Sequence, residues 1–391
     1  MKKIVKDVIF NILSTFIVVI IIQFYIYPYL AKTISISEYG YFLLFIGLIN
    51  MISVGFSSAL GNLRLITQKD YFPSNQYNSL LIIILILVSF MYLFSQFFFD
   101  KTSALYLILT ICMIFKNYHA YSFRLEINYS RTLILNVITS LGYLLGVLIF
   151  NNLYKNWTII FITGELLGIL FLIFTAQTVR EKFEITKNSS MYSQFFSLAM
   201  ATLLSNSMIY MDRLILFPLL GSQSVSVFVV ASFVGKSIGL VITPINSVFL
   251  TYISKSKKID LKLFKKIVIF LILIFTLVFL ITCVLGDTIT KIMYPEIYDN
   301  AAKYINISSA SALTFILGTI LNTFMMKMND VSWQLKVQIT YVFAYVILGI
   351  TVLKYFDLQV FIYFTIILNL MRVYLICYVI NKYSYRQENS K

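Results

Sequence analysis

Residues 267–285 read IVIFLILIFTLVFLITCVL, a stretch without a charged side chain. A helix needs about 20 mostly apolar residues to cross the hydrocarbon core of a bilayer, so this stretch predicts a membrane span. Similar stretches recur along the chain, which is 60% hydrophobic and 12% charged, against roughly 25% charged residues in soluble domains. The sequence therefore predicts an all-α, polytopic membrane protein with about 12 transmembrane helices.

The longest polar interruption near the middle of the chain follows the sixth span and predicts a cytoplasmic linker, residues 178–192. Two pseudo-symmetric six-helix bundles, residues 1–177 and 193–391, are expected on either side of it. A weak internal repeat agrees, because an offset of 186 residues aligns Phe42 with Phe228. The predicted spans are Val8–Leu30, Tyr39–Leu63, Asn78–Phe98, Ser103–Phe123, Thr132–Phe150, Trp157–Gln177, Ser193–Phe217, Val225–Ile253, Ile267–Leu285, Tyr304–Met326, Val337–Leu353 and Gln359–Ile380.

The chain carries 31 Lys and Arg residues against 16 Asp and Glu residues, and their placement predicts its orientation. With the N-terminus inside, most of these cations, Lys116 among them, fall on segments assigned to the cytoplasm. Short loops rich in Lys and Arg stay on the cytoplasmic side, so both termini are predicted to be cytoplasmic. Membrane topology thus accounts for the net charge of +15 without a nucleic-acid partner.

No motif of a catalytic, cofactor or metal site is present in the sequence. It lacks a phosphate-cradling glycine loop, an HExxH pair and an Asp-x-Asp pair. Cys112, Cys283 and Cys377 all fall in predicted spans, which argues against disulfides and a zinc site. His119, at the end of the fourth span, is predicted to be a plain interfacial residue. We therefore expect a protein without enzymatic activity, cofactor or metal.

Apart from Lys116, which is counted with the cytoplasmic cations although it falls near the end of the fourth span, five ionisable residues inside predicted spans need an explanation: Glu165, Asp212, Arg213, Lys236 and Arg372. A charge at the bilayer centre costs about 2.5–3.5 kcal/mol on insertion scales, so such residues face the bundle interior or a wet cavity. Lys236 has no acidic residue within four positions of it on its own helix. The sequence leaves other roles open for the rest. Asp212 and Arg213 could form ion pairs, Arg372 could snorkel to the interface, and Glu165 could pair with a cation or bind a proton.

Polar residues at helical spacing accompany these charges. Asn206, Tyr210 and Arg213 lie on one face of the seventh span, and Lys236 and Thr243 lie on one face of the eighth. A third stripe in the second span contains Asn50 and Ser53 and ends in Arg64 at the cytoplasmic boundary. The stripes in the seventh and eighth spans are expected to border one cavity that is cationic and lined by hydroxyl groups.

Two motifs resemble those of the Wzx-type polysaccharide-unit flippases of the multidrug/oligosaccharidyl-lipid/polysaccharide exporter superfamily. Residues 29–42, YLAKTISISEYGYF, are similar to the first loop between spans in that family. The matching second-half signature begins with residues 211–216, MDRLIL, and continues to Lys236 and Pro244. Ser226 and Phe228 depart from it, because the family favours Gly and Tyr there. The resemblance covers essentially the whole chain.

The resemblance implies two bundles around a central cavity in the bacterial cytoplasmic (inner) membrane. The cargo would be an undecaprenyl-pyrophosphate-linked oligosaccharide, flipped to the outer leaflet for O-antigen, capsule or exopolysaccharide synthesis. Membrane lipid, a proton or sodium ion and the polysaccharide polymerase machinery are the other implied partners. Cations would bind the pyrophosphate through charge-assisted hydrogen bonds. The candidate cations are Arg213, Lys236, Arg372 and Arg64; the polar groups are Asn50, Ser53, Asn206, Tyr210 and Thr243; the ion-coupling acids are Glu165 and Asp212.

Three alternatives stay open on the sequence. A multidrug or cation exporter of the same superfamily should have acids dominating its cavity, and a lipid II flippase should have more spans. An integral membrane polysaccharide polymerase or ligase should carry a large catalytic outer loop. The longest predicted outer loop, residues 286–303, is short and mixed in charge.

Overall fold

The computed structural model describes residues 2–66, 74–97, 103–182, 189–239, 261–328 and 331–389, and these are almost entirely helical. The chain begins with α1 (Lys2–Ile20), which runs through a π-helical segment, Ile21–Ile26, into α2 (Tyr27–Thr33). The remaining helices are α3 (Ile36–Ile66), α4 (Ser74–Ser95), α5 (Ala104–Leu125), α6 (Tyr129–Asn152), α7 (Thr158–Thr175), α8 (Ser189–Ala231), α9 (Leu261–Met293), α10 (Pro295–Ala301), α11 (Ile305–Met328), α12 (Val331–Tyr355) and α13 (Leu358–Asn389).

Ten helices in the described part of the chain are long and apolar enough to cross a membrane. They confirm the prediction of an all-α, polytopic membrane protein. Helix α5, predicted as the fourth span, is not among the ten although it has 22 residues. The predicted span Val225–Ile253 is described only as far as residue 239. Predicted and observed helix ends otherwise agree within several residues for most spans.

The helix that contains the ninth predicted span is longer than the span, and the predicted outer loop after it is largely helical. Helix α9 extends from Leu261 to Met293, well beyond the apolar stretch that identified it. Most of the predicted loop 286–303 is helical, since α10 follows directly with Pro295 at its first position. A helix satisfies its own backbone hydrogen bonds, so it can continue into water after its apolar residues end.

The chain forms two compact units that do not follow the predicted boundaries. Unit 1 contains Met1–Ile26 and Leu44–Asp212, and unit 2 contains Tyr27–Leu43 and Arg213–Lys391. Helices α3 and α8 are therefore each divided between the units. The predicted bundles with a linker at 178–192 stay a prediction, and residues 183–188 of that linker lie outside the described residues.

Unit 1 is built around the close packing of α6 on α7. A Cβ atom added at Gly142 would lie 2.7 Å from the Cα atom of Gly164, so the two backbones nearly touch. Small residues permit such an approach between membrane helices, where packing and hydrogen bonds replace the hydrophobic effect. Helix α1 is attached to α6 by Asn136, whose Nδ2 donates to the Ser14 hydroxyl at 2.7 Å.

In unit 2, the beginning of α3 packs against a kink in α8, and we call residues 36–40 and 221–226 the α3–α8 corner. Helix α8 contains Pro218, and Gly221 follows with φ of 80°, a conformation that favours glycine. The Ser226 hydroxyl donates to the carbonyl oxygen of Ile36 at 2.6 Å. Gly40 lies against the carbonyl of Ser222.

The contacts at the corner are reciprocal. Adding the repeat offset of 186 to Gly40 gives Ser226, and adding it to Ile36 gives Ser222. Gly40 contacts the Ser222 carbonyl, and its repeat equivalent Ser226 contacts the carbonyl of Ile36, the repeat equivalent of Ser222. The same contact between equivalent positions therefore occurs twice, once in each direction. This reciprocity supports the internal repeat inferred from the sequence.

Candidate functional site

The predicted site residues are distributed over both units. Unit 1 contains Asn50, Ser53, Arg64, Glu165, Asn206, Tyr210 and Asp212, and unit 2 contains Arg213, Lys236 and Arg372. Thr243 lies outside the described residues. Each unit is therefore considered by itself, beginning with the cations of unit 2.

Arg372 is buried in unit 2, with 7% of its surface exposed. Its guanidinium carbon lies 5.2 Å from the centroid of the Phe315 ring and 5.0 Å from that of Tyr341. Such cation–π contacts contribute about 0.5–2 kcal/mol each. The sequence left open whether Arg372 snorkels to the interface; in the structure its side chain is buried between two aromatic rings. Its Nη1 atom is buried without a hydrogen-bond partner among the described residues.

A polar network lies beside Arg372, between α11 and α13. Asn369 accepts a hydrogen bond from the Tyr341 hydroxyl at 2.8 Å and donates to the carbonyl oxygen of Ser311 at 3.0 Å. The hydroxyls of Ser311 and Thr365 are 2.8 Å apart. Sequence reasoning missed this network, although Thr365, Asn369 and Arg372 recur at helical spacing on one face of α13.

Arg213 is buried and joins α8 to α3. Its Nη1 atom donates to the carbonyl oxygen of Leu43 at 2.9 Å, so part of its guanidinium has a structural partner. Lys236 is half-buried, and its ammonium lies 5.0 Å from the centroid of the Phe228 ring. Both cations belong to unit 2, as Arg372 does.

In unit 1, Glu165 forms a buried ion pair, which is one of the roles that the sequence left open, but its partner is Lys116 and not a cation that the sequence analysis had singled out. Its Oε1 atom accepts hydrogen bonds from Lys116 Nζ at 2.9 Å and from the Tyr143 hydroxyl at 2.6 Å. Lys116, which the sequence analysis counted with a cytoplasmic segment, lies within α5, where its side chain is only 10% exposed. Lys116 therefore compensates the charge of Glu165, the acid that the sequence analysis considered for ion coupling.

Arg64 belongs to a second cluster in unit 1. It forms an ion pair with Glu181 and donates to the Tyr118 hydroxyl at 2.9 Å, while its guanidinium carbon lies 5.1 Å from the centroid of the Tyr77 ring. The ion pair ties the beginning of the predicted linker to α3. His119, predicted to be a plain interfacial residue, is 2% exposed, and its Nδ1 atom lies 2.9 Å from the Thr178 hydroxyl oxygen.

The polar residues of the stripes mostly bond to their own helices. Asn50 donates to the carbonyl oxygen of Ile46 at 2.8 Å, and Asn206 donates to that of Thr202 at 2.9 Å. Ser53 is fully buried and donates to the carbonyl oxygen of Ile49 at 2.5 Å. The Asn50 and Asn206 side chains are half-buried, and each amide has an oxygen acceptor and a second donor hydrogen in addition to the hydrogen that bonds its own helix.

The buried charges differ in sign between the units. The buried carboxylates of the described residues are Glu165 and Asp212, both in unit 1, where Lys116 neutralises Glu165. Unit 2 contains no buried carboxylate among its described residues, whereas Arg213 and Arg372 are buried there. The described interior of unit 2 is therefore cationic, although the buried Asp212 directly precedes Arg213 in the chain.

Comparisons with known proteins identify the fold. No protein-family profile matches the sequence, and no curated protein matches it either. Among solved structures, the chain is similar to a MATE in the bent conformation, with a TM-score of 0.67 and 12% identity over 100% of this chain and 96% of that chain. It is also similar to the lipid II flippase MurJ in an inward closed conformation, with a TM-score of 0.66 and 15% identity over 96% of this chain and 86% of that chain.

A third similar structure is an outward-facing multidrug resistance MATE family transporter of the MOP superfamily. It has a TM-score of 0.66 and 12% identity over 99% of this chain and 97% of that chain. The chain therefore has the helical fold of these membrane transporters along essentially its whole length. The same fold occurs in proteins described as a multidrug transporter and as a lipid II flippase, so it does not identify the cargo.

Proposed function

We propose that this chain is a Wzx-type flippase of the multidrug/oligosaccharidyl-lipid/polysaccharide exporter superfamily. Its cargo would be an undecaprenyl-pyrophosphate-linked oligosaccharide, carried across the bacterial cytoplasmic membrane for surface polysaccharide synthesis. The observation that carries the proposal is the cationic interior of unit 2, with Arg213 and Arg372 buried and no buried carboxylate among the described residues. The two motifs that resemble the flippase family support it further.

The charge of unit 2 also weighs against the other candidates. A multidrug or cation exporter needs acids to compensate its cargo, and the buried pair Lys116–Glu165 already neutralises one of the two acids buried among the described residues. A polymerase or ligase needs room for catalysis outside the membrane, yet most of residues 286–303 is helical. An anionic lipid-linked cargo fits the buried cations without requiring that any bond be broken.

A complementation experiment tests the proposed function. Deleting the gene from its host should remove surface polysaccharide and cause lipid-linked oligosaccharide units to accumulate inside, and restoring the gene should reverse both effects. Unchanged polysaccharide together with an altered susceptibility to cationic drugs would instead favour the exporter. The sugars released from the accumulated lipid-linked units would identify the class of polysaccharide.

The same strain tests the cations of unit 2. We expect Lys236→Ala to reduce surface polysaccharide at least tenfold and Lys236→Arg to restore part of it, because one charge-assisted bond contributes about 1.5–3 kcal/mol. Arg213→Ala should reduce both polysaccharide and protein level, since Arg213 also bonds Leu43. Lys354→Ala removes an exposed cation and serves as the control. Normal polysaccharide from Lys236→Ala at matched protein level would remove Lys236 from the proposed site.

The proposed orientation has a separate test. Alkaline phosphatase folds to an active enzyme only outside the cytoplasm, so a fusion after Lys391 should be inactive. A fusion near Ser222, at the kink between two predicted spans, should be active. The reverse pattern would contradict the cytoplasmic placement of the termini.

A further inference from the structure

The environment of Arg372 differs from that of the other buried cations. Lys116 has the carboxylate of Glu165, and Arg213 has the carbonyl oxygen of Leu43. Arg372, in contrast, makes no hydrogen bond and no ion pair with the described residues, and its Nη1 atom is fully buried. A guanidinium has five N–H donors and carries its charge at every pH a cell experiences, so burial without an acceptor is unfavourable.

The polar groups nearest in the fold already have partners. Asn369 accepts from Tyr341 and donates to Ser311, and the hydroxyls of Ser311 and Thr365 bond each other. These hydrogen bonds join members of the network to one another, and none of them reaches the guanidinium. The donors of Arg372 are therefore left for a group that the described chain does not supply.

Two rings and a glycine shape the space around the guanidinium. Phe315 and Tyr341 lie at cation–π distance from it, and they favour a positive charge but accept no in-plane hydrogen bond. Gly318, one turn after Phe315 on α11, has no side chain beside the guanidinium. A Cβ atom added there would lie 3.7 Å from Arg372 Nη1, an ordinary contact distance for a ligand atom.

We propose that Arg372, held by Phe315 and Tyr341 beside Gly318, binds an oxyanion. Two acceptor oxygens of a phosphate or a carboxylate can bond a guanidinium side by side, which matches the unused donors of Arg372. That this oxyanion is part of the cargo, a phosphate of the lipid pyrophosphate or a carboxylate of an acidic sugar, rests on the proposed function. The site itself rests on the contacts of Arg372.

Thermal unfolding of the protein purified in dodecyl maltoside tests the site. Three probes are added separately at constant ionic strength: inorganic pyrophosphate, glucuronate and dioleoyl phosphatidic acid mixed into the micelles. At least one should raise Tm in a saturable way, and the one that does identifies a pyrophosphate, an acidic sugar or a membrane lipid as the source. A ligand that binds only the folded protein stabilises it in proportion to its occupancy.

Three variants make the test specific. Arg372→Met should eliminate the stabilisation, and Arg372→Lys should weaken binding at least tenfold, because an ammonium cannot bond two oxygens side by side. Lys382→Gln, which removes an exposed cation from the same helix, should leave the response unchanged. Without any probe, Arg372→Met loses two cation–π contacts but also removes a buried charge whose Nη1 has no hydrogen-bond partner among the described residues, so its Tm should stay close to that of the parent protein.

The site is overturned if no probe raises Tm, if the rise persists in Arg372→Met, or if Arg372→Met melts clearly below the parent without a probe. The outcome is independent of the proposed function. Stabilisation that depends on Arg372 in a protein that fails the complementation experiment would keep the oxyanion site and reject the cargo. Successful complementation by a protein that shows no such stabilisation would keep the proposed function and reject the oxyanion site at Arg372.

Discussion

Replacing Gly40 with alanine is expected to prevent accumulation of the folded protein. A Cβ atom at this position would overlap the carbonyl oxygen of Ser222, would lie 2.5 Å from its carbonyl carbon and 2.9 Å from the Ser226 hydroxyl oxygen. Two of these atoms belong to the backbone, so no side-chain rotation relieves the clash. We expect destabilisation of about 4 kcal/mol or more, at the upper extreme of single substitutions.

The measurement is the amount of monodisperse protein in detergent and its Tm. Gly349→Ala is the matched control, because its added Cβ atom would meet its nearest neighbour, Phe361, at 3.4 Å. That substitution should be neutral or stabilising, since alanine favours a helix over glycine by about 1 kcal/mol. If Gly40→Ala accumulates and melts like the parent, the close packing of the α3–α8 corner is refuted.

The second large effect is expected from separating Lys116 and Glu165. Glu165→Gln keeps an acceptor for Tyr143 but leaves Lys116 buried without its carboxylate, and Lys116→Met leaves the carboxylate without its cation. Removing one partner of a buried ion pair costs about 3–5 kcal/mol, whereas replacing both with neutral groups is often nearly neutral. Each single variant should therefore melt far below the parent, and the double variant should recover most of its Tm.

Transport by the same variants separates structure from ion coupling. If the pair is only structural, the stable double variant should transport cargo in vesicles as the parent does. If Glu165 carries a coupling ion, the double variant should be folded but insensitive to a proton or sodium gradient. Glu126→Gln is the control, because its pair with Arg131 is partly exposed and contributes less than about 1 kcal/mol. Equal Tm values for parent and single variants would contradict the importance of the pair.

The fold could be predicted from the sequence because membrane spans are recognised without knowledge of their partners. The apolar stretch 267–285 identifies α9 by itself, since lipid surrounds the helix whichever neighbours it has. The ends were less predictable, because α9 continues to Met293 after its apolar residues stop. The α10 helix could be recognised only from Pro295, which is favourable at the first position of a helix.

The candidate site could be predicted only in part. Arg213, Lys236 and Arg372 were found because a charge within a span needs a reason. Their surroundings depend on residues distant in sequence, such as Phe315 and Tyr341 at Arg372, and no local pattern indicates them. The pairing of Lys116 with Glu165 was missed for a related reason. Lys116 was counted with the cytoplasmic cations, and its partner lies 49 positions away in the chain.

The reciprocal contact at the α3–α8 corner has a consequence for the history of the protein. When two identical chains pair across a two-fold axis, residue i of one chain contacts residue j of the other, and residue j contacts residue i in return. The corner shows this pattern between the two repeats. An ancestor of half this length, with an even number of spans, would have paired as a homodimer with both subunits the same way up. Fusion of its two copies would have freed each to diverge, and the two equivalent positions now hold Gly40, which has no side chain, and Ser226, whose hydroxyl bonds Ile36.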